Sequence, residues 1–162
     1  MANHITTQIT VSADQFETIK ALYFNENEVL DFKKVIEHAH TKSGQKMDFK
    51  LKVWGCESAY DFCATETQNG VEIKFFTHWY HPLLVIEQIA KDNPTLSFDV
   101  KYASDDMGYD CGAYSAQDGE IINHTKAEPN QSQEAKNQWK DFAGALRYGK
   151  NYWQEIRSEY FA

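Results

Sequence analysis

From His4 to Val11 the chain alternates, with Ile5, Thr7, Ile9 and Val11 on one side and Thr6, Gln8 and Thr10 on the other. That period of two predicts a strand with one buried face. Ser12 then reads as a helix N-cap, and Gln15 three positions later completes a capping box. Phe16, Ile19, Leu22 and Tyr23 give a helical apolar stripe through about residue 24. Between 25 and 48 the pattern weakens. Leu30 to Ile36 reads as a short buried piece of extended or irregular chain, with a short helix as the alternative, and a solvated loop follows.

A second strand is predicted from Phe49 to about Thr65, interrupted at Trp54-Gly55, where the glycine suggests a bulge. Asn69-Gly70 predicts a type I′ hairpin, because both residues tolerate positive φ. Val71, Ile73, Phe75, Thr77 and Trp79 alternate along the next strand, and Pro82 stands at position N1 of a helix whose apolar side is Leu83, Val85, Ile86 and Ile89. Asp92-Asn93-Pro94 stops that helix. Leu96, Phe98, Val100 and Tyr102 predict a further strand, and Gly108 to Ile122, turning at Asp118-Gly119, a closing hairpin. Strand, helix, strand, strand, helix, strand is the split βαβ order of an α+β, ferredoxin-like antiparallel sheet, here with an added hairpin.

Residues 129–162 read as a C-terminal helical extension packed on the same domain as the body, 1–128. Ala135, Trp139, Phe142, Leu146, Trp153, Ile156 and Tyr160 recur at helical spacing, while Gly144 and Gly149 suggest a bend or a tight crossing. So apolar a tail must cover the sheet or join a second copy in a homodimer.

Composition narrows the class. The 162 residues are 42 % hydrophobic and 14 % aromatic, too rich in bulky apolar groups for a disordered chain despite a mean hydropathy of −0.62. No apolar run is long enough to span a bilayer, and Met1-Ala2-Asn3-His4 does not resemble a secretory leader. Three cysteines, an odd number, suit a reducing cytoplasm. The net charge of −8 argues against binding along nucleic-acid phosphates, which calls for a surplus of Lys and Arg.

Charge is not spread evenly. From Asp99 to Glu120 there are six acids (Asp99, Asp105, Asp106, Asp110, Asp118 and Glu120) against Lys101 alone. Such a patch is either a solvated edge or a surface complementary to a basic groove. No catalytic set accompanies it. His78 and His81 lack the paired Cys/His spacing of a zinc site, and no glycine-rich phosphate loop is present. Cys111, flanked by Asp110, is a poor thiolate, so Cys63 and Cys111 are expected to be buried and structural. Trp54, Tyr60, Trp79 and Tyr80 lie on or beside strands and read first as rings sealing the sheet against the C-terminal helix; the alternative site they offer is an aromatic surface able to stack bases.

Five segments resemble the YubB-like ferredoxin-like proteins of plasmids and phages. These are Met1-Ala2-Asn3 with the strand ending near Ser12-Ala13-Asp14; Leu30-Asp31-Phe32-Lys33-Lys34-Val35-Ile36; Trp54-Gly55-Cys56-Glu57-Ser58-Ala59-Tyr60-Asp61; Phe75 through Pro82; and Met107-Gly108-Tyr109 through Asp118-Gly119-Glu120. The third departs from the family pattern in lacking a second tryptophan, and His81 stands where a second proline is usual. The resemblance implies a ferredoxin-like fold and a mobile-element origin, with no general catalytic residues. Joined to the acidic patch, it leads to the expectation of a non-enzymatic protein, without metal or cofactor, that binds a host protein. Asp105, Asp106, Asp110, Asp118 and Glu120 would contact that partner's basic groove, the form expected being a counter-defence inhibitor such as an anti-CRISPR or DNA mimic. The other readings are nucleic-acid or nucleotide binding through the aromatics and a small enzyme of unknown reaction.

Overall fold

A computed structural model describes residues 3–36, 56, 59–149, 152, 155, 156 and 159. In chain order the elements are β1 (His4–Val11), α1 (Ala13–Tyr23), α2 (Phe32–Val35), β2 (Tyr60–Thr67), β3 (Gly70–His78), α3 (Leu83–Asp92), β4 (Phe98–Ser104), β5 (Cys111–Gln117), β6 (Glu120–Lys126) and α4 (Gln133–Tyr148). The strands form one six-stranded sheet in the order β2-β3-β1-β4-β5-β6, and each neighbouring pair is antiparallel. Within it β3 separates β1 from β2 and β1 separates β3 from β4, which is the ferredoxin-like split βαβ arrangement. The β5–β6 hairpin extends the β4 edge.

The alternation in β1 sets the layers. Ile9 pairs with Ile73 of β3 on one side and Val100 of β4 on the other. The face they share also carries Ile5, Phe75 and Phe98, and it packs under Ile19 and Tyr23 of α1 and Val85, Ile86 and Ile89 of α3. Fully burying a side chain such as Phe75 or Ile86 stabilises the fold by about 1.5–3 kcal/mol. The opposite face carries Ala103 and Cys111, closed by Ala143 and Leu146 of α4 with Trp139 and Phe142 alongside. Arg147 ties this helix to the sheet: one Nη reaches His4 O at 3.0 Å, Thr6 Oγ1 at 3.1 Å and Ala103 O at 3.4 Å. Lys74 Nζ donates to Leu146 O at 2.9 Å. Thus the described part of the C-terminal extension covers sheet.

Several local expectations change. Ser12 is the N-cap of α1 but makes no side-chain cap bond, its side chain bonding the Asp14 carboxylate instead; Gln15 accepts from the Ser97 N–H, so no capping box forms. The β2–β3 hairpin forms, but its two turn residues are Gln68 and Asn69, neither at positive φ, while Gly70 (φ 133°) already pairs with Thr67 at the start of β3; a Cβ on Gly70 would lie 2.2 Å from Val11 O. The type I′ signature, positive φ at both central residues, belongs to Asp118 (53°) and Gly119 (81°). Pro82 is the N-cap of α3, one position earlier than predicted. The Leu30–Ile36 piece contains the short helix α2, capped by Asp31 through the Lys33 N–H. α4 runs unbroken through Gly144 and stops at Gly149 (φ 104°). The start predicted for the second strand, and Trp54 with it, lies outside the described residues. Among the described residues, no helix is long and apolar enough to cross a membrane.

Candidate functional site

β1 begins where β3 and β4 end, so the segments leaving those strands meet around its first residues. Asp105 N–H donates to His4 O at 3.0 Å and Trp79 N–H donates to Asn3 O at 2.7 Å. Ser104 Oγ donates to Asn3 Oδ1 at 2.9 Å and accepts from Asp106 N–H at 2.9 Å. Three of the five predicted acids, Asp105, Asp106 and Asp110, gather at this end, and all are exposed. Asp118 and Glu120 do not join them. Asp118 lies in the turn at the far end of β5 and Glu120 directly after it, and the seven residues of β5 span about 23 Å in extended chain. The five acids therefore form two separate groups and not one surface.

The predicted aromatics divide as well. Trp79 and Tyr80 stand at the acidic end, 49 % and 59 % exposed, with Tyr109 at 39 % in the β4–β5 loop. Trp79 holds φ at 69°, unusual for a bulky residue. Tyr60 lies on the α4 face, where its ring stacks on His78 at 4.7 Å and 22° and its hydroxyl bonds His4 Nδ1. Among the described residues, Tyr60 on one hand and Trp79 and Tyr80 on the other thus do not form a single base-stacking platform. His78 faces Tyr60 while His81 stacks on Tyr102, so the two histidines do not converge. Among the described residues, no three His, Cys, Asp or Glu side chains are grouped to hold a metal. Cys63, expected to be buried, is exposed on edge strand β2, whereas Cys111 is buried.

Beside the acidic end lies a cavity of about 440 Å³, lined among others by Trp79, Tyr80, His81, Tyr102, Asp110 and His124. Its floor and the layer directly behind it come from four separate elements. His81, in the β3–α3 connection, bonds Thr7 Oγ1 through Nδ1 at 3.0 Å and the Tyr114 hydroxyl through Nε2 at 2.7 Å. Its ring stacks on Tyr102 with centroids 4.1 Å apart and 12° between planes. The Tyr102 hydroxyl bonds His124 Nε2 at 3.1 Å. Gly112 makes room for that ring, since a Cβ there would come within 2.6 Å of the Tyr102 hydroxyl and of Thr125 O. A bulge in β6, where Asn123 takes φ 55°, brings His124 onto the same face as Tyr114, ring to ring at 5.0 Å.

Burial, reinforced by His124, pushes the His81 imidazole down to about 3, although one edge of the ring still opens to the cavity. Partial burial and then Lys126 push His124 down too. Burial, with Cys111 and Asp110 nearby, raises Tyr102 to about 12, and burial carries Tyr114 well above the usual phenol range. Burial and Asp110 raise Cys111 to about 12. Near neutrality these five groups are all uncharged, a hydrogen-bonding floor with no activated nucleophile. Sequence reasoning did not group His81, Tyr102, Tyr114 and His124. The available hint was Tyr102, a hydroxyl at the end of an otherwise apolar strand face, with a glycine two positions into the next strand.

Residue by residue, the site draws on β1, β4, β5 and β6, on the start of α3, and on the connections that follow β3, β4 and β6. No curated protein and no solved structure matches the chain. A known family, the ferredoxin-like domain in Api92-like protein, does match it, over residues 59–146. The matched stretch starts one residue before β2, passes through every strand and loop that builds the cavity except β1, and continues across position 128 into α4. It covers more than half of the chain, and its fold is the one seen here: the protein belongs to the family of ferredoxin-like domains in Api92-like proteins.

Proposed function

We propose that the protein is a non-enzymatic binding protein that engages another protein through the sheet end where β1 begins. One observation carries this reading: exposed Trp79, Tyr80 and Tyr109 converge there with exposed Asp105, Asp106 and Asp110. Aromatic anchors with charged groups around them are the usual makeup of a protein contact. The three acids favour a basic partner surface and repel the phosphates of a nucleic acid. Beside them His81, Tyr102, Cys111, Tyr114 and His124 are held toward their uncharged forms, a makeup suited to hydrogen bonding.

The YubB-like resemblance, with its plasmid and phage setting, supports a partner of a particular kind: a cytoplasmic host protein that handles nucleic acid in defence. Acids in the β4–β5 loop would then occupy the place of phosphates in its basic groove. Asp118 and Glu120, at the other end of β5, fall outside this contact. The test is affinity capture from a bacterial host lysate with the wild-type protein and with D105K/D106K. Both side chains are exposed, so the variant should keep the wild-type unfolding midpoint while losing the captured protein at about 150 mM salt, where long-range attraction is already screened. Retention of the captured protein by D105K/D106K would overturn the reading.

A further inference from the structure

We infer that the cavity beside the acidic loop receives the guanidinium group of an arginine side chain presented by the partner. This rests on the protein-binding reading and specifies the contact within it. The cavity's volume of about 440 Å³ falls in the range of pockets that enclose a ligand, about 300–1,000 Å³. Trp79, Tyr80 and Tyr102 supply aromatic rings, and Asp110 and Glu128 supply carboxylates on the same lining. Rings and carboxylates together suit a planar cation, which stacks on the former and donates paired hydrogen bonds to the latter.

The charge arithmetic decides against an anion. Two carboxylates, Asp110 and Glu128, face one cation, Lys126, among the described lining residues. Lys126, Asp110, His124 and Glu128 are all exposed, but the long stem of Lys126 lets its ammonium turn to solvent, away from an incoming cation. The two histidines do not oppose a cation, since burial holds both toward the neutral form. Their hydrogen bonds to Thr7, Tyr114 and Tyr102 also fix the floor before anything binds. Trp79 and Asp110 both hold positive φ and both line this cavity; an aspartate adopts that conformation readily, whereas for the bulky Trp79 it is strained and marks the position out. A lysine ammonium is the poorer fit, being a compact charge without a planar face to lay on the rings.

The test titrates the full chain, labelled with nitrogen-15, with Nα-acetyl-arginine amide, the corresponding lysine compound, and the uncharged isostere Nα-acetyl-citrulline amide. Arginine should shift the Trp79 and Tyr80 amides and the His124 imidazole, while citrulline leaves them in place. D110N/E128Q keeps the shape and suits the backbone, because asparagine tolerates the positive φ of position 110. It should weaken the arginine response about tenfold, the order expected for hydrogen bonds to a charged group. Equal shifts with citrulline, shifts located elsewhere, or a response unchanged in D110N/E128Q would overturn the inference. Loss of partner capture in D105K/D106K with no arginine response overturns this inference alone. An arginine response combined with capture that ignores D105K/D106K overturns the protein-binding reading and supports a site for free guanidinium compounds.

Discussion

Consider the protein moved from pH 8 to pH 5. His81 sits against Tyr102 and between Thr7 and Tyr114, and its folded-state value is about 3 against 6.5 when free. Between those two values the unfolded chain binds a proton that the folded chain refuses, so stability falls as pH falls. The stabilising effect of keeping His81 neutral is complete above 6.5 and vanishes below 3, with a limiting slope of about 1.4 kcal/mol per pH unit between. At pH 5 the loss works out at about 2 kcal/mol relative to pH 8, a substantial share of a small domain's total stability. The His81→Gln variant removes the titration while its amide still offers one donor and one acceptor to Thr7 and Tyr114. Urea denaturation of both proteins at pH 8, 6.5 and 5, followed by circular dichroism, isolates the effect. Surface carboxylates titrate equally in the two and cancel in the difference. Wild type should lose about 2 kcal/mol more than H81Q over this interval, whatever the variant's stability at pH 8. Parallel losses in the two proteins would refute the placement of a neutral, protein-enclosed imidazole at this position.

Two further substitutions probe the site's supports. Gly112→Ala puts a methyl group within 2.6 Å of the Tyr102 hydroxyl, so the ring must leave its stack on His81 and its bond to His124; the expected cost is about 1–3 kcal/mol, with a changed near-ultraviolet aromatic signal, and an unchanged signal would contradict the packing described. Arg147→Met keeps the side-chain stem but removes the donor shared by His4 O, Thr6 Oγ1 and Ala103 O; a loss of about 2 kcal/mol is expected, with faster amide exchange in α4 than in α1, and uniform exchange would show that this contact does not hold the helix.

Local patterning carried most of the fold. Ile5, Thr7, Ile9 and Val11 alternate because one face of β1 is covered by α1 and α3, and the same rule located β3 and β4. Both hairpins were legible, but the first turns at Gln68–Asn69, one residue before the predicted Asn69-Gly70, and only Asp118-Gly119 adopts the double positive-φ turn. Periodicity reports which face of an element is buried, but not which distant residues meet. Asp110 and Asp118 are close in sequence and sit at opposite ends of β5, because extended chain separates what a list of acids places together. His78 and His81 are three apart and turn to opposite faces. The cavity floor depends on strand order β2-β3-β1-β4-β5-β6, which sets Tyr114 beside Tyr102, and on the Asn123 bulge, which turns His124 toward both. Those are non-local pairings, decided by how the strands close on one another, and only the tertiary structure holds them.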